Sequence, residues 1–440
     1  MAKPAFRAIR GTFDVLPEAY QVEGTLVPGT PAWRFVEETI RDVLERFGFE
    51  EIRTPILEPT ELIARGVGAL TDIVTKEMFA FKRGETHYVL RPELTAPVMR
   101  AYLQHRLEQR GSVQKLYYIG ACFRAERPQK GRYRQFHQFG AEIIGTPEPE
   151  ADAEVIAAMM SVYEAFGIVD TVLRINTLGD AVSRQAYREA LRAYLRPYAD
   201  QLSETSRRRL ELNPLRILDT KIPEERALLE QAPRLIEFVD EESLRHYETV
   251  KQYLRDLGIA FVEDYFLVRG LDYYTRTAFE LESPRLGAQS ALAGGGRYDL
   301  LAEELGSQKP VPAVGFAAGM ERLFLALVAQ ETPLPAGERL DAFMVALGEA
   351  ARRWAFKEAY ILRRKGLRVG YDLRGRSMKA QMREANRRRA RHAVIVGDQE
   401  LEEQKAVLKH MDTGEERKVA FEELHEALVS EKQRELEQTP

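Results

Sequence analysis

The sequence predicts an α+β protein: a strand-rich portion interrupted by a helical module, followed by an α/β region. Three observations carry this. Residues 120–145, GACFRAERPQKGRYRQFHQFGAEIIG, read as two strands joined by a cationic, turn-containing loop. Residues 181 to about 255 are densely charged, helix-favouring and poor in glycine. Beyond residue 340, strand-like and helical segments alternate, the pattern of βαβ units and a mainly parallel sheet.

The elements follow in chain order. Residues 1–30 look mostly irregular, punctuated by Gly11, Pro17, Gly24, Pro28 and Gly29. Thr30 suits a helix cap, Pro31 a first turn and Gly48 an end, and Val36, Ile40, Val43, Leu44 and Phe47 repeat at helical spacing between them. Phe49 to Ile56 reads as a strand in which Pro55 favours an edge or a bend. Residues 87–107 run strand, turn, helix; 150–166 form an amphipathic helix; 171–177 suggest a strand. After the helical module, strands resume at Ala260, with FVEDYFLVRG and TAFELES, then a glycine cluster. TPLPAGERLD, near 330–340, reads as a linker. DAFMVAL, 350–364, LRVGYDL, 377–390 and HAVIVG then alternate strand and helix, and 415–435 looks helical.

Composition narrows the function. With 440 residues, 45% hydrophobic and 30% charged, the chain suits two to four globular domains. A net charge of -4 argues against a general nucleic-acid coat, so anion binding must come from local patches. The single cysteine, Cys122, excludes an internal disulfide and a cysteine-based zinc site, and the seven histidines form no metal-binding pair. No segment has signal-peptide character or membrane-spanning length, so no membrane contact and a cytoplasmic location are expected.

Four segments carry candidate chemistry. The loop cations Arg124, Arg127, Lys130, Arg132 and Arg134 suit phosphate, although a solvated hairpin tip would look the same. In Arg91-Pro92-Glu93-Leu94-Thr95, Glu93 and Thr95 could cap a helix or receive an ammonium group. Residues 293–299, AGGGRYD, allow close backbone approach to a ligand, or equally a bulge or tight turn. In residues 315–323, GFAAGMERL, a strand of small residues leads into a helix carrying Arg322.

The stretch FRAERPQKGRYRQFHQ resembles motif 2 of class II aminoacyl-tRNA synthetases, in the version found in histidyl-tRNA synthetases. Residues 267–274, LVRGLDYY, and the AGGGRYD cluster resemble that family's two signature peptides, GFAAGMERL resembles motif 3, and helix 31–47 with the IRTP segment resembles motif 1. The resemblance runs from RGTFDVLP to the C-terminal region; YQVEGTLVPGT is longer, and NRRRAR more basic, than the family pattern.

It implies a class II antiparallel-sheet catalytic domain in two parts (1–180 and 256–330), a mainly helical insertion (181–255) that touches the tRNA acceptor arm, and an α/β anticodon-binding domain (331–440). It implies ATP with Mg2+, L-histidine and histidine tRNA as substrates, and a homodimer built on motif 1. Arg124 and Arg269 become the α-phosphate clamp. Glu93, Thr95, Gln138, Glu142, Arg269, Tyr274 and Tyr298 become the histidine site, with Tyr274 and Glu142 on the two imidazole nitrogens. Glu126, Phe136 and Arg322 join Arg124 around ATP, and Glu126 and Glu321 are candidates near magnesium. Gln129, Arg127 and Lys130 face the acceptor end. The cations between Arg363 and Arg391 become a footprint for RNA phosphates. The rival is a histidine sensor or regulatory subunit on the same fold; such paralogues commonly lack the last domain and degrade the motif 2 arginines, both present here.

Overall fold

The computed structural model describes residues 6–68, 71–268 and 273–438. It divides into two compact units, residues 1–335 and 336–440. Arg269 lies outside the described residues.

In the first unit a hairpin, β1 (Tyr20–Val22) and β2 (Thr25–Val27), turns at Glu23 and Gly24, both with positive φ. This corrects the irregular reading of that stretch; the two-residue turn leaves three-residue strands, too short for an alternation pattern. Helix α1 (Thr30–Arg46) buries Ala32, Trp33, Val36, Ile40, Val43 and Leu44, and Gly29 rather than Thr30 holds the cap position.

The strand expected over 49–56 is split. β3 (Glu50–Glu51) and β4 (Leu57–Pro59) belong to different sheets, with Pro55 between them. Proline lacks the N–H that a continuous ladder needs. The buried Arg91 guanidinium fixes the break by donating to the carbonyls of Thr54 (2.6 Å) and Pro55 (3.2 Å).

α2 (Thr60–Val67), β5 (Phe79–Arg83), β6 (Thr86–Leu90) and α3 (Thr95–Gln104) follow, β4, β6 and β5 forming a three-stranded sheet. The long β7 (Gln114–Phe123) and β8 (Gln135–Ile144) pair antiparallel across the cationic loop. Then come α4 (Pro149–Ala165), β9 (Val172–Thr177) and the helices α5 (Ala181–Leu195), α6 (Glu204–Leu212), α7 (Pro223–Leu229) and α8 (Glu241–Asp256). Asp180, Ser203 and Asp240 cap α5, α6 and α8 by accepting from Ser183, Ser206 and Ser243 amides.

Among the described residues of FVEDYFLVRG, only β10 (Val262–Glu263) is a strand. β11 (Thr275–Glu282) and β12 (Ala291–Arg297) follow; the glycine cluster is the body of a strand rather than a tight turn, and its pairing with β11 shifts register between Gly296 and Arg297. α9 (Leu301–Glu304), β13 (Ala313–Gly319) and α10 (Met320–Ala329) complete the unit.

Eight strands form the main sheet, ordered β10-β9-β11-β12-β13-β8-β7-β3, antiparallel except for the outermost pair at each edge. Alternation sets its faces. Phe139, Ala141 and Ile143 of β8 join α1, α4 and α8 in one core through Ile40, Ile156, Val250 and Leu254. Their neighbours Gln138, Gly140 and Glu142 therefore face the other way.

The second unit is a five-stranded sheet, ordered β15-β14-β16-β17-β18, its first three strands parallel. In chain order it runs β14 (Ala342–Ala346), α11 (Glu349–Arg364), β15 (Val369–Tyr371), α12 (Met378–Arg387), β16 (His392–Val396), α13 (Asp398–Glu403), β17 (Lys405–His410), β18 (Glu416–Ala420) and α14 (Leu424–Gln438). Residues 416–420, expected helical, are a strand.

Candidate active site

A cavity of about 410 Å3 opens on the opposite face of the main sheet, lined from β8, β11, β12, β13, the cationic loop and the start of α3. Its wall includes Glu93, Thr95, Arg124, Glu126, Phe136, Gln138, Tyr274 and Arg322.

Glu93 does what a capping residue does. Its carboxylate accepts from the backbone amides of Thr95 (2.7 Å) and Ala96 (3.0 Å) at the start of α3. Burial still raises its pKa, against the opposing pull of those amides and of Arg124. The Thr95 hydroxyl is directed elsewhere, to Glu142 at 2.9 Å.

Glu142 and Tyr298 are buried one layer behind the wall. The Glu142 carboxyl accepts from Tyr298 (2.6 Å), Thr95 (2.9 Å) and Tyr118 (3.1 Å) hydroxyls. Burial pushes its pKa up to about 8; the three hydroxyls pull it down, and nearby Glu93 adds to the rise. Two glycines make room for this cluster. A Cβ on Gly315, opposite Glu142 in β13, would fall inside that carboxylate, and one on Gly140 would meet the Tyr118 hydroxyl. Gly296 sits against Tyr274 in the same way, which explains a glycine inside β12.

The opposite end of the cavity suits a nucleotide. Arg124 donates to the Pro92 carbonyl at 3.0 Å and lies over the Phe136 ring at 5.1 Å. Glu126 pairs with Arg132 at 3.4 Å. Arg322 donates to the Ala291 carbonyl at 2.5 Å, and burial lowers its pKa. Glu321 accepts from the His137 amide and approaches Nδ1 of the same ring at 3.0 Å, tying β8 to α10. Cys122 Sγ stands 3.4 Å from Gln138 Oε1, its thiol pushed up to about 12 by burial.

The loop tip is a tight turn in which Gln129 and Arg132 exchange backbone hydrogen bonds. Arg127, Gln129 and Lys130 are exposed there, outside the cavity wall. The structure also brings in residues that sequence reading did not single out: Tyr118, Tyr273, Glu280, and Arg209 and Arg216 from the helical stretch. Tyr118 stands on the neighbouring strand, and only the β7–β8 register reveals it. Arg209 and Arg216 carry no local signal in a stretch rich in arginine. Among the described residues no cluster of three or more metal-ligating side chains occurs, and no helix is long and apolar enough to cross a membrane.

A mainly antiparallel sheet carrying this cleft, followed by a mixed α/β unit, defines a class II aminoacyl-tRNA synthetase architecture. A sequence model of the family described as Histidyl-tRNA synthetase matches residues 26–323, and one described as Anticodon binding domain matches 341–431. The histidine--tRNA ligase of Chloroherpeton thalassium is 49% identical over 93% of this chain and 95% of its own. That of Chlorobium luteolum is 49% identical over 96% and 97%. The apo Staphylococcus aureus histidyl-tRNA synthetase structure superposes with a TM-score of 0.79, at 39% identity, covering 96% of this chain and 99% of that one. The chain belongs to the histidyl-tRNA synthetase family.

Proposed function

We propose that the protein ligates L-histidine to histidine tRNA in two steps. The histidine carboxylate attacks the α-phosphate of ATP, giving histidyl-adenylate and pyrophosphate. The terminal ribose hydroxyl of the tRNA then attacks the activated carbonyl, releasing AMP. The observation that carries this reading is a cavity with an arginine-lined end and, one layer behind its wall, a buried carboxyl held by three hydroxyls. No side chain becomes a covalent nucleophile; catalysis is positioning plus stabilisation of charge on phosphorus.

In this reading Arg124 clamps the α-phosphate with Arg269. Phe136 stacks on adenine, Glu126 accepts from the adenine amino group, and Arg322 meets the γ-phosphate. Glu93, Thr95 and Gln138 hold the amino acid head, while Glu142, held by Tyr298, and Tyr274 take the imidazole nitrogens. A site built on both nitrogens rejects isosteres lacking them, because its buried polar groups would go unpaired. Mg2+ would accompany ATP and offset phosphate charge, with Glu126 and Glu321 the side chains that would lie near it. The exposed Arg127, Gln129 and Lys130 meet the acceptor end. Two copies pair through α1 and the segment around Pro55, in the cytoplasm.

The test is ATP–pyrophosphate exchange without tRNA, scanned over all twenty amino acids. Exchange with histidine alone is expected; histidine binding without exchange would favour a sensor.

A further inference from the structure

The helical stretch contributes to the cavity itself. α6 is clamped at both ends. At its start the buried Glu225 carboxylate accepts from the Ser203 amide (2.7 Å) and the Ser206 hydroxyl (2.8 Å). At its end Arg192 donates to the carbonyls of Leu210 (3.2 Å) and Glu211 (3.3 Å). The helix thus holds Arg209 at a fixed place, and Arg209 Nη1 donates to the Arg216 carbonyl at 3.1 Å. Both guanidiniums line the same cavity as Arg124, Arg132 and Arg322.

Two facts give them a role. Asp72, Glu77, Glu93, Glu126, Asp219, Glu280 and Glu321 also line the cavity, and Glu126 already holds Arg132. A triphosphate entering among these carboxylates needs more cations than the motif strands supply among the described residues. The present partner of Arg209, moreover, is easily displaced. Asp72 Oδ2 is 3.8 Å from Nη2, its side chain is 47% exposed, and it has a second cation in Lys76 at 3.2 Å. A loose, half-exposed pair of this kind contributes little stability.

We propose that Arg209 and Arg216 are positioning residues for the outer phosphates of ATP, with Arg209 exchanging Asp72 for phosphate oxygens when the nucleotide binds. This rests on the adenylate-forming reading of the cavity. It makes the helical stretch part of the activation step as well as a surface for tRNA. Backbone phosphates at the tRNA 3′ end present the same oxygens, so the experiment separates the two sources.

Full-length Arg209→Ala, Arg216→Ala and Asp72→Asn would be compared with wild type in two assays: calorimetric binding of a non-hydrolysable ATP analogue, and tRNA-free pyrophosphate exchange with histidine varied. Arg209→Gln keeps an amide donor for the Arg216 carbonyl without the charge, and guards against loss by misfolding. Expected is an ATP-analogue dissociation constant raised about tenfold in each arginine variant, as for a lost charge-assisted contact, with the histidine KM unmoved. Asp72→Asn, which releases Arg209, is expected to lower that constant. Unchanged ATP binding in the arginine variants overturns the proposal, and if only tRNA charging falls, the phosphates belong to tRNA. Equal weakening by Asp72→Asn and Arg209→Ala also overturns it, since the pair would then only hold the helices in place. Because binding is read directly, a wild type that binds ATP without exchanging pyrophosphate would sink the activity reading while leaving this one tested.

Discussion

Glu142 is a carboxyl whose charge state is set first by its burial. Its pKa is raised above the ordinary value of 4.5 to about 8. The stability it contributes is therefore fully present below about 4.5 and is lost as pH rises through about 8. Glu142→Gln is expected to flatten the pH dependence of unfolding over that window, measured by denaturant titration at several pH values. In pyrophosphate exchange it should also raise the histidine KM by about tenfold or more. Gly315→Ala should force the Glu142 side chain aside at a cost of about 1–3 kcal/mol, read as a lower denaturation midpoint. Much of this site was legible by resemblance, down to Thr95, Glu142 and Tyr298. The bond from Tyr118 was not, because a hydroxyl donor on an adjacent strand depends on register, which no local pattern encodes.

At the scale of elements, α1, α4 and the paired β7 and β8 were readable because each is long enough for its period to show. Short pieces were not. Glu50–Glu51 owes its place to a partner in β7, and the glycines of β12 to the groups packed against them. A further tie joins distant segments: Arg297, at the end of β12, is fully buried against Asp152 of α4, and also donates to the Thr146 carbonyl at 2.9 Å. Burial alone would raise the Asp152 pKa, but Arg297 and His246 hold it down at about 2. Asp152→Asn leaves that buried guanidinium with Asp299, at 3.2 Å, as its remaining counter-charge, and is expected to cost about 3 kcal/mol of unfolding free energy. A loss below about 1 kcal/mol would mean that water or another group takes the aspartate's place.

The whole molecule divides its work between two units. In the C-terminal unit some cations of the expected stripe are internally engaged: Arg376 pairs with Asp372, and Arg363 donates to the Val369 carbonyl at 2.8 Å. Arg364, Lys365, Arg374, Lys379, Arg383 and Arg388 are exposed and available to phosphates. Affinity for tRNA should therefore fall steeply with salt, whereas salt should affect histidine activation far less. Neutralising Lys379 and Arg383 together should reduce the log–log salt slope by about 1–2, as measured by filter binding.

The lone cysteine offers a clock. Cys122 is fully buried near the end of the long strand β7, beside the cavity, and its thiol is held far from ionisation. A thiol reagent can reach it only when the sheet opens, so the labelling rate of the native protein measures that opening directly. ATP and histidine bound in the cavity would slow the clock together, reporting occupancy without a radioactive substrate and without turnover.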